Sequence, residues 1–233
     1  MRPNSQTRGT PEPELPELDA GVRLLNIEGT DRATEPLHSL VLDHLLLNEG
    51  TAVWVDAGGH AVTQSLASLA PSTRALDRIR VARAFTAHQH YRLVRRLREQ
   101  VGEETTLLVC PELDRFYREA ETYADEGEDL LLRTLATIAG IADRHDVPVL
   151  VTRATADSFS NPIEAAAEET IRCERTKFGP RFVGAEFETL VYPMEGGTVQ
   201  TTLAFWKRVL KARATASDAV ATPTPEVTVD GAY

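Results

Sequence analysis

The chain has 233 residues, 42% hydrophobic and 26% charged, with a formal net charge of −10 at pH 7. That is a globular composition with room for one sizeable core, and no apolar run reaches the roughly 18–20 residues that cross a bilayer. The opening residues Met-Arg-Pro-Asn-Ser-Gln lack the apolar segment of a secretory signal, so a cytoplasmic protein is expected.

Residues 1–20 contain Pro3, Pro11, Pro13 and Pro16 among many polar residues and read as a disordered arm. Strands and helices then alternate. Val22–Glu28 is a short apolar strand, and residues 36–48 follow with a helical face at Leu37, Leu40, Val41 and Leu45. Thr51–Asp56 is a second strand, with a helix over residues 61–69 behind it. Residues 78–85 form a third strand, and a helix runs from about Ala87 to Val101. Thr105–Cys110 is the fourth, a helix covers residues 129–145, and residues 147–152 are the fifth strand. Short, nearly all-apolar strands separated by helices predict a parallel sheet covered on both faces.

The pattern changes after Pro162. Residues 170–176, 181–192 and 198–205 read as strands, joined by the hairpin signals Phe178-Gly179-Pro180 and Glu195-Gly196-Gly197. The expected fold is therefore α/β, a mainly parallel sheet flanked by helices on both faces, with an antiparallel extension at its C-terminal end. Residues 212–233, rich in Ala, Thr and Pro, read as a disordered tail. Cys110 and Cys173 sit in apolar runs and are expected as buried, reduced thiols rather than a metal or redox motif.

Arg80–Phe85 (RVARAF), followed by a helix-forming stretch, resembles a strand and helix of the RecA/RadA recombinase family, most closely its archaeal RadA branch. Val53–Asp56, Leu107–Arg118 and Val149–Thr152 resemble further strands of that family in the same order. The resemblance covers roughly residues 20–205 and implies a RecA-like domain over residues 21–211. Only Lys177, Lys207 and Lys211 are lysines, so 22 of the 25 Lys and Arg are Arg. Such an acidic, Lys-poor composition looks like that of a haloarchaeal protein, although GC-rich codon usage gives the same bias.

The resemblance breaks at the chemical positions. An active P-loop cradles phosphates with backbone N–H groups, a Lys, and a hydroxyl on Mg²⁺. The matching segment is Gly29-Thr30-Asp31-Arg32-Ala33-Thr34-Glu35-Pro36. Gly29 survives, but Thr34 replaces the second Gly, Glu35 the Lys and Pro36 the hydroxyl residue. A carboxylate in place of the Lys repels a phosphate. Thr34 instead suits an N-cap, Glu35 the positive helix end and Pro36 the first turn. The family's Walker B carboxylate falls at Cys110, its water-activating carboxylate at Gly58, and its sensing Gln at Ala154. Four roles are altered together, so no tight ATP–Mg²⁺ site and no catalysis are expected.

Three other constellations compete with blander readings. Asp56, His60, His88 and His90 could gather at the strand ends as a metal or acid–base cluster, but their spacing suits isolated histidines better. Arg32, Arg115 and Arg153 could form an anion pocket, yet 22 arginines make chance clustering expected. The segments matching the family's DNA-binding loops, residues 122–129 and 153–162, lack the cationic surface that DNA needs. Arg92, Arg95, Arg96 and Arg98, with Lys207–Arg213, carry the concentrated positive charge. The resemblance thus implies a non-catalytic accessory protein in recombination or repair, with no cofactor, contacting a protein partner such as a RadA-type ATPase. An atypical nucleotide-binding ATPase and a DNA-binding module using the Arg-rich helix are the alternatives.

Overall fold

The computed structural model describes residues 15–28, 34–118, 124–176, 179–185, 187–188 and 202–221. Seven strands form one sheet: β1 (Gly21–Ile27), β2 (Thr51–Asp56), β3 (Ile79–Arg83), β4 (Thr105–Cys110), β5 (Pro148–Val151), β6 (Glu169–Thr176) and β7 (Gly179–Val183). Their spatial order is β3-β2-β4-β5-β1-β6-β7. Every neighbouring pair is parallel except β6–β7, an antiparallel hairpin in which Thr176 faces Gly179. This is the expected α/β architecture and is consistent with a RecA-like core.

The apolar strands have two faces to cover, and their residues divide by parity. Ala52 and Trp54 of β2, Leu107 and Val109 of β4, and Leu150 of β5 point into one core. Val53 and Val55, Leu108 and Cys110, and Val149 and Val151 point into the other. Period-two alternation sends successive side chains to opposite faces, so only strands apolar at every position can bury both.

The first face is covered by α1 (Thr34–Leu47), α2 (Thr63–Leu69), α3 (Thr73–Asp77) and α8 (Thr202–Ala221). The second is covered by α4 (Ala87–Gln100), α5 (Arg115–Arg118), α6 (Ala124–His145) and α7 (Asn161–Ala166). Helix α1 is buried from Pro36 through Leu45 because α8 lies over it. Its polar residues are correspondingly satisfied. His38 bridges the Ser65 hydroxyl at 3.1 Å and the His60 carbonyl at 2.8 Å, and His44 reaches the Thr106 carbonyl at 2.8 Å.

Several boundaries differ from the sequence reading. Leu15 and Leu18, expected in the disordered arm, are buried in the first core. Residues 202–205, expected at the end of a strand, open α8 instead; residues 198–201 lie outside the described residues. The helical stripe Trp206, Val209 and Leu210 packs into the first core and sets that outcome. The domain does not stop at 211, since α8 continues to Ala221 and Arg213 reaches back to Asp43 at 3.2 Å. Alanine in the supposed tail favours helix once its first turns are anchored. Strand β7 ends at Val183, which bridges Glu188, and Gly184 and Ala185 lie outside it; residues 189–192 of the expected strand lie outside the described residues. Among the described residues no helix is long and apolar enough to cross a membrane.

Candidate functional site at the carboxyl edge of the sheet

In open parallel α/β sheets, ligands bind beyond the carboxyl ends of the strands. Here that edge is formed by the turns after β2, β4 and β5. Of the expected degenerate phosphate loop, Gly29, Thr30, Asp31, Arg32 and Ala33 lie outside the described residues. Thr34, expected as the cap, is itself helical, the first residue of α1. Glu35 and Pro36 complete the first turn, where an acidic side chain and a proline are both accommodated.

The turn after β2 is built on Asp56. Its fully buried carboxylate accepts the His60 backbone N–H at 2.8 Å and the Arg83 guanidinium at 2.9 Å. Gly58, where the family's catalytic carboxylate would fall, has φ +93°. A Cβ at Gly58 would lie 2.6 Å from Glu112 Oε2 and 3.0 Å from Arg115 Nη1. The place of a side chain at 58 is thus taken by residues that follow β4.

Glu112 comes just after β4 with φ +43°, in the left-handed region. Its N–H donates to the Thr152 hydroxyl at 2.8 Å, which ties the end of β4 to the end of β5. Its carboxylate receives Arg115 Nη1 at 2.6 Å and lies 3.2 Å from His60 Nε2. That last contact is close in distance but not aligned as a hydrogen bond, so His60 Nε2 is buried without an aligned partner. Burial opposes the Glu112 charge, but the His60 and Arg115 contacts outweigh it and hold its pKa down at about 2.

A second cluster lies beside the first. Asp114 is fully buried, accepts the Ala154 N–H at 2.7 Å and binds the Arg118 guanidinium. Arg118 also makes two contacts of 2.7 Å to Asp157, donates to the Thr155 carbonyl at 3.0 Å and lies over the Phe159 ring at 4.8 Å. Hydrogen bonding from Arg118 lowers the Asp157 pKa to about 2. Asp157 in turn caps the short 3-10 turn Ser158–Ser160 in a reciprocal capping box. The segment after β5 is therefore pinned to the segment after β4.

The remaining sequence candidates separate. Cys110 is buried in the second core, and desolvation pushes its pKa up to about 12, so the thiol stays protonated. Ala154 contributes only its backbone N–H. His88 is exposed and 3.8 Å from Glu126. His90 lies on the buried face of α4, with Nδ1 2.7 Å from the Tyr117 hydroxyl, which is 2.7 Å from Thr134 Oγ1. Asp56 and His60 are joined through a backbone hydrogen bond, but His88 and His90 do not converge with them. Among the described residues no group of three or more His, Cys, Asp or Glu side chains could hold a metal ion. Arg153 donates to Glu164 at 2.9 Å and Arg115 is committed to Glu112, so these two do not meet in a shared anion pocket.

The segments aligned with DNA-binding loops are also settled internally. Residues 124–129 are the first turns of α6, while Thr122 and Tyr123 lie outside the described residues. Residues 153–162 are fixed by Asp114, Arg118 and the capping box. Sequence reasoning missed Glu112, Asp114, Arg118 and Asp157. The visible signal was a dense run of charges, Glu112-Leu113-Asp114-Arg115, directly after an all-apolar strand, with Asp114 and Arg118 at helical spacing.

The fold defines a class, an α/β protein with a mainly parallel, seven-stranded sheet. No protein-family model and no curated protein matches the chain.

Proposed function

We propose that the chain is a non-catalytic RecA/RadA-like protein that acts through protein–protein contacts as an accessory partner in recombination or repair. The observation that carries this reading is the carboxyl edge. At three of the described positions where the resemblance implies chemistry stand a glycine packed against Glu112, a buried protonated thiol at Cys110, and a backbone N–H at Ala154 already bound by Asp114. A water-activating carboxylate, a Mg²⁺-holding carboxylate and a sensing amide are thus replaced together.

A surface for a partner is available elsewhere. Among the described residues β3 pairs only with β2 and forms one edge of the sheet. Val81 is 47% exposed and Phe85, just beyond the strand, 70% exposed. An open strand edge bearing apolar side chains can accept an added strand. The partner proposed is a RadA-type ATPase.

Affinity capture of the full chain from its native host at high salt tests the proposal. The expected result is recovery of a RadA-type ATPase, lost with Phe85→Ser. Recovery of no ATPase or repair protein would overturn it.

A further inference from the structure

We propose that a cleft between α4 and α6, at the amino edge of the sheet, binds a small aliphatic dicarboxylate through Arg98 and Arg144. Helix α4 ends at Gln100 before β4 begins, and α6 ends at His145 before β5 begins. The cleft is therefore at the opposite end of the strands from the carboxyl edge, and the inference does not depend on the reading above.

The cleft owes its space to a glycine. Gly140 lies in the interior of α6, where glycine costs helix stability relative to alanine. Its φ is not positive, and a Cβ built on it would meet no atom within 4 Å. Neither backbone conformation nor packing thus calls for glycine there. What the missing side chain leaves is room, in a cavity of about 250 Å³ lined by Arg98, Gly140, Ile141, Arg144 and His145.

No acidic side chain lines this cavity, in a chain of net charge −10. Arg98 belongs to α4, while Arg144 and His145 belong to the last turn of α6, so the basic groups stand on opposite walls. The Thr137 hydroxyl donates to the Arg133 carbonyl at 2.8 Å and accepts from Arg98 Nη2 at 3.3 Å, which draws that guanidinium toward α6. The bond uses one of the five N–H donors of Arg98. Among the described residues, the Arg144 and His145 side chains make no hydrogen bond or ion pair. A helix dipole accounts for cations in a last turn. It does not account for a glycine that opens space beside them.

The lining selects the ligand. Each guanidinium can hold a carboxylate through two parallel N–H bonds, and His145 has a donor to add in either protonation state. Ile141, only 2% exposed, supplies apolar surface for a short hydrocarbon spacer. The cavity is smaller than the roughly 300–1,000 Å³ of pockets that take drug-sized molecules, so the ligand is a small one.

The test is isothermal titration of the full chain with succinate, in the salt that keeps it folded. Butyrate, with the same chain length and one carboxylate, is the control. Succinate should bind saturably, and butyrate about tenfold more weakly or worse. Arg144→Gln, at an exposed position, should weaken succinate by about tenfold or more. Gly140→Leu should abolish binding without lowering the melting temperature, because leucine is the better helix former and its side chain enters open space. No saturable binding to the folded wild type, equal binding of butyrate, or binding unchanged in either variant would each overturn the proposal. A lower melting temperature in Gly140→Leu would overturn it too, because the glycine would then be a packing requirement.

Discussion

The carboxyl edge of the sheet and its β3 edge treat polar and apolar groups in opposite ways. At the carboxyl edge, Asp56, Glu112, Asp114 and Asp157 are each matched to a cation or a backbone N–H of the same chain. At the β3 edge, one side of the strand has no neighbour among the described residues, and Arg80 and Val81 are exposed beside it. The acids of the first region are paired within the chain, while the outer side of β3 carries backbone groups that no described strand pairs. In a fold whose ligands ordinarily enter at the carboxyl ends of strands, that contrast moves attention from the cleft to the edge.

The largest expected effect comes from breaking the self-satisfied region. Asp114→Ala strips the buried acceptor from both Arg118 and the Ala154 N–H. Removing one partner of a buried charged network costs about 3–5 kcal/mol, measurable by chemical denaturation. Hydrogen exchange over residues 153–160 should accelerate in the same variant. A loss below about 1 kcal/mol would mean that the pinned segment has other anchors.

Next in size is the buried chain under the same edge. Tyr117→Phe removes the hydroxyl between His90 and Thr134 and leaves two buried polar atoms unpaired, a cost of about 1–3 kcal/mol. Desolvation lowers the His90 pKa from 6.5 to about 4. The unfolded chain therefore takes up a proton that the folded chain refuses. Stability from this group is fully present above pH 6.5 and is lost as pH falls toward 4. Burial lowers the pKa of His38 and His44 too, with the same sign. Asp43, raised to about 6 by burial despite Arg213, acts oppositely between about pH 4 and 6. Comparing the pH dependence of the wild type with that of His90→Leu isolates the His90 share. A slope unchanged by that substitution would refute the assignment.

Smaller still are changes at the open edge. Phe85→Ser and Val81→Lys should alter stability by no more than about 0.5 kcal/mol while abolishing partner capture. If either unfolds the protein, that edge is not the free surface described. Smallest is the exposed pair Arg133–Asp129, 2.8 Å apart one helical turn from each other. Arg133→Ala should cost no more than about 0.5 kcal/mol by thermal unfolding.

Much of this contrast was readable in the sequence, for particular reasons. The five core strands stand out because burial on both faces makes them apolar at every position, as in Thr105–Cys110. The positions of Gly58, Cys110 and Ala154 could be located, because each lies within or close after a legible strand. What filled their places could not be read. Glu112 lies 54 positions from Gly58 in sequence, and only the adjacency of β2 and β4 brings its carboxylate there. Arg118 and Asp157 likewise meet only because β4 and β5 are neighbours. At the chain ends, local composition misled. The proline-rich arm buries Leu15 and Leu18 through contacts distant in sequence, and the Ala-rich tail continues α8 once Trp206, Val209 and Leu210 anchor it in the core.

The reading proposed above has the carboxyl-edge cleft bind no nucleotide. Isothermal titration of the folded wild-type chain with ATP and Mg²⁺, in the salt that keeps it stable, tests this most directly. The account predicts no saturable heat at millimolar ATP. Micromolar binding that Arg32→Ala abolishes would contradict it.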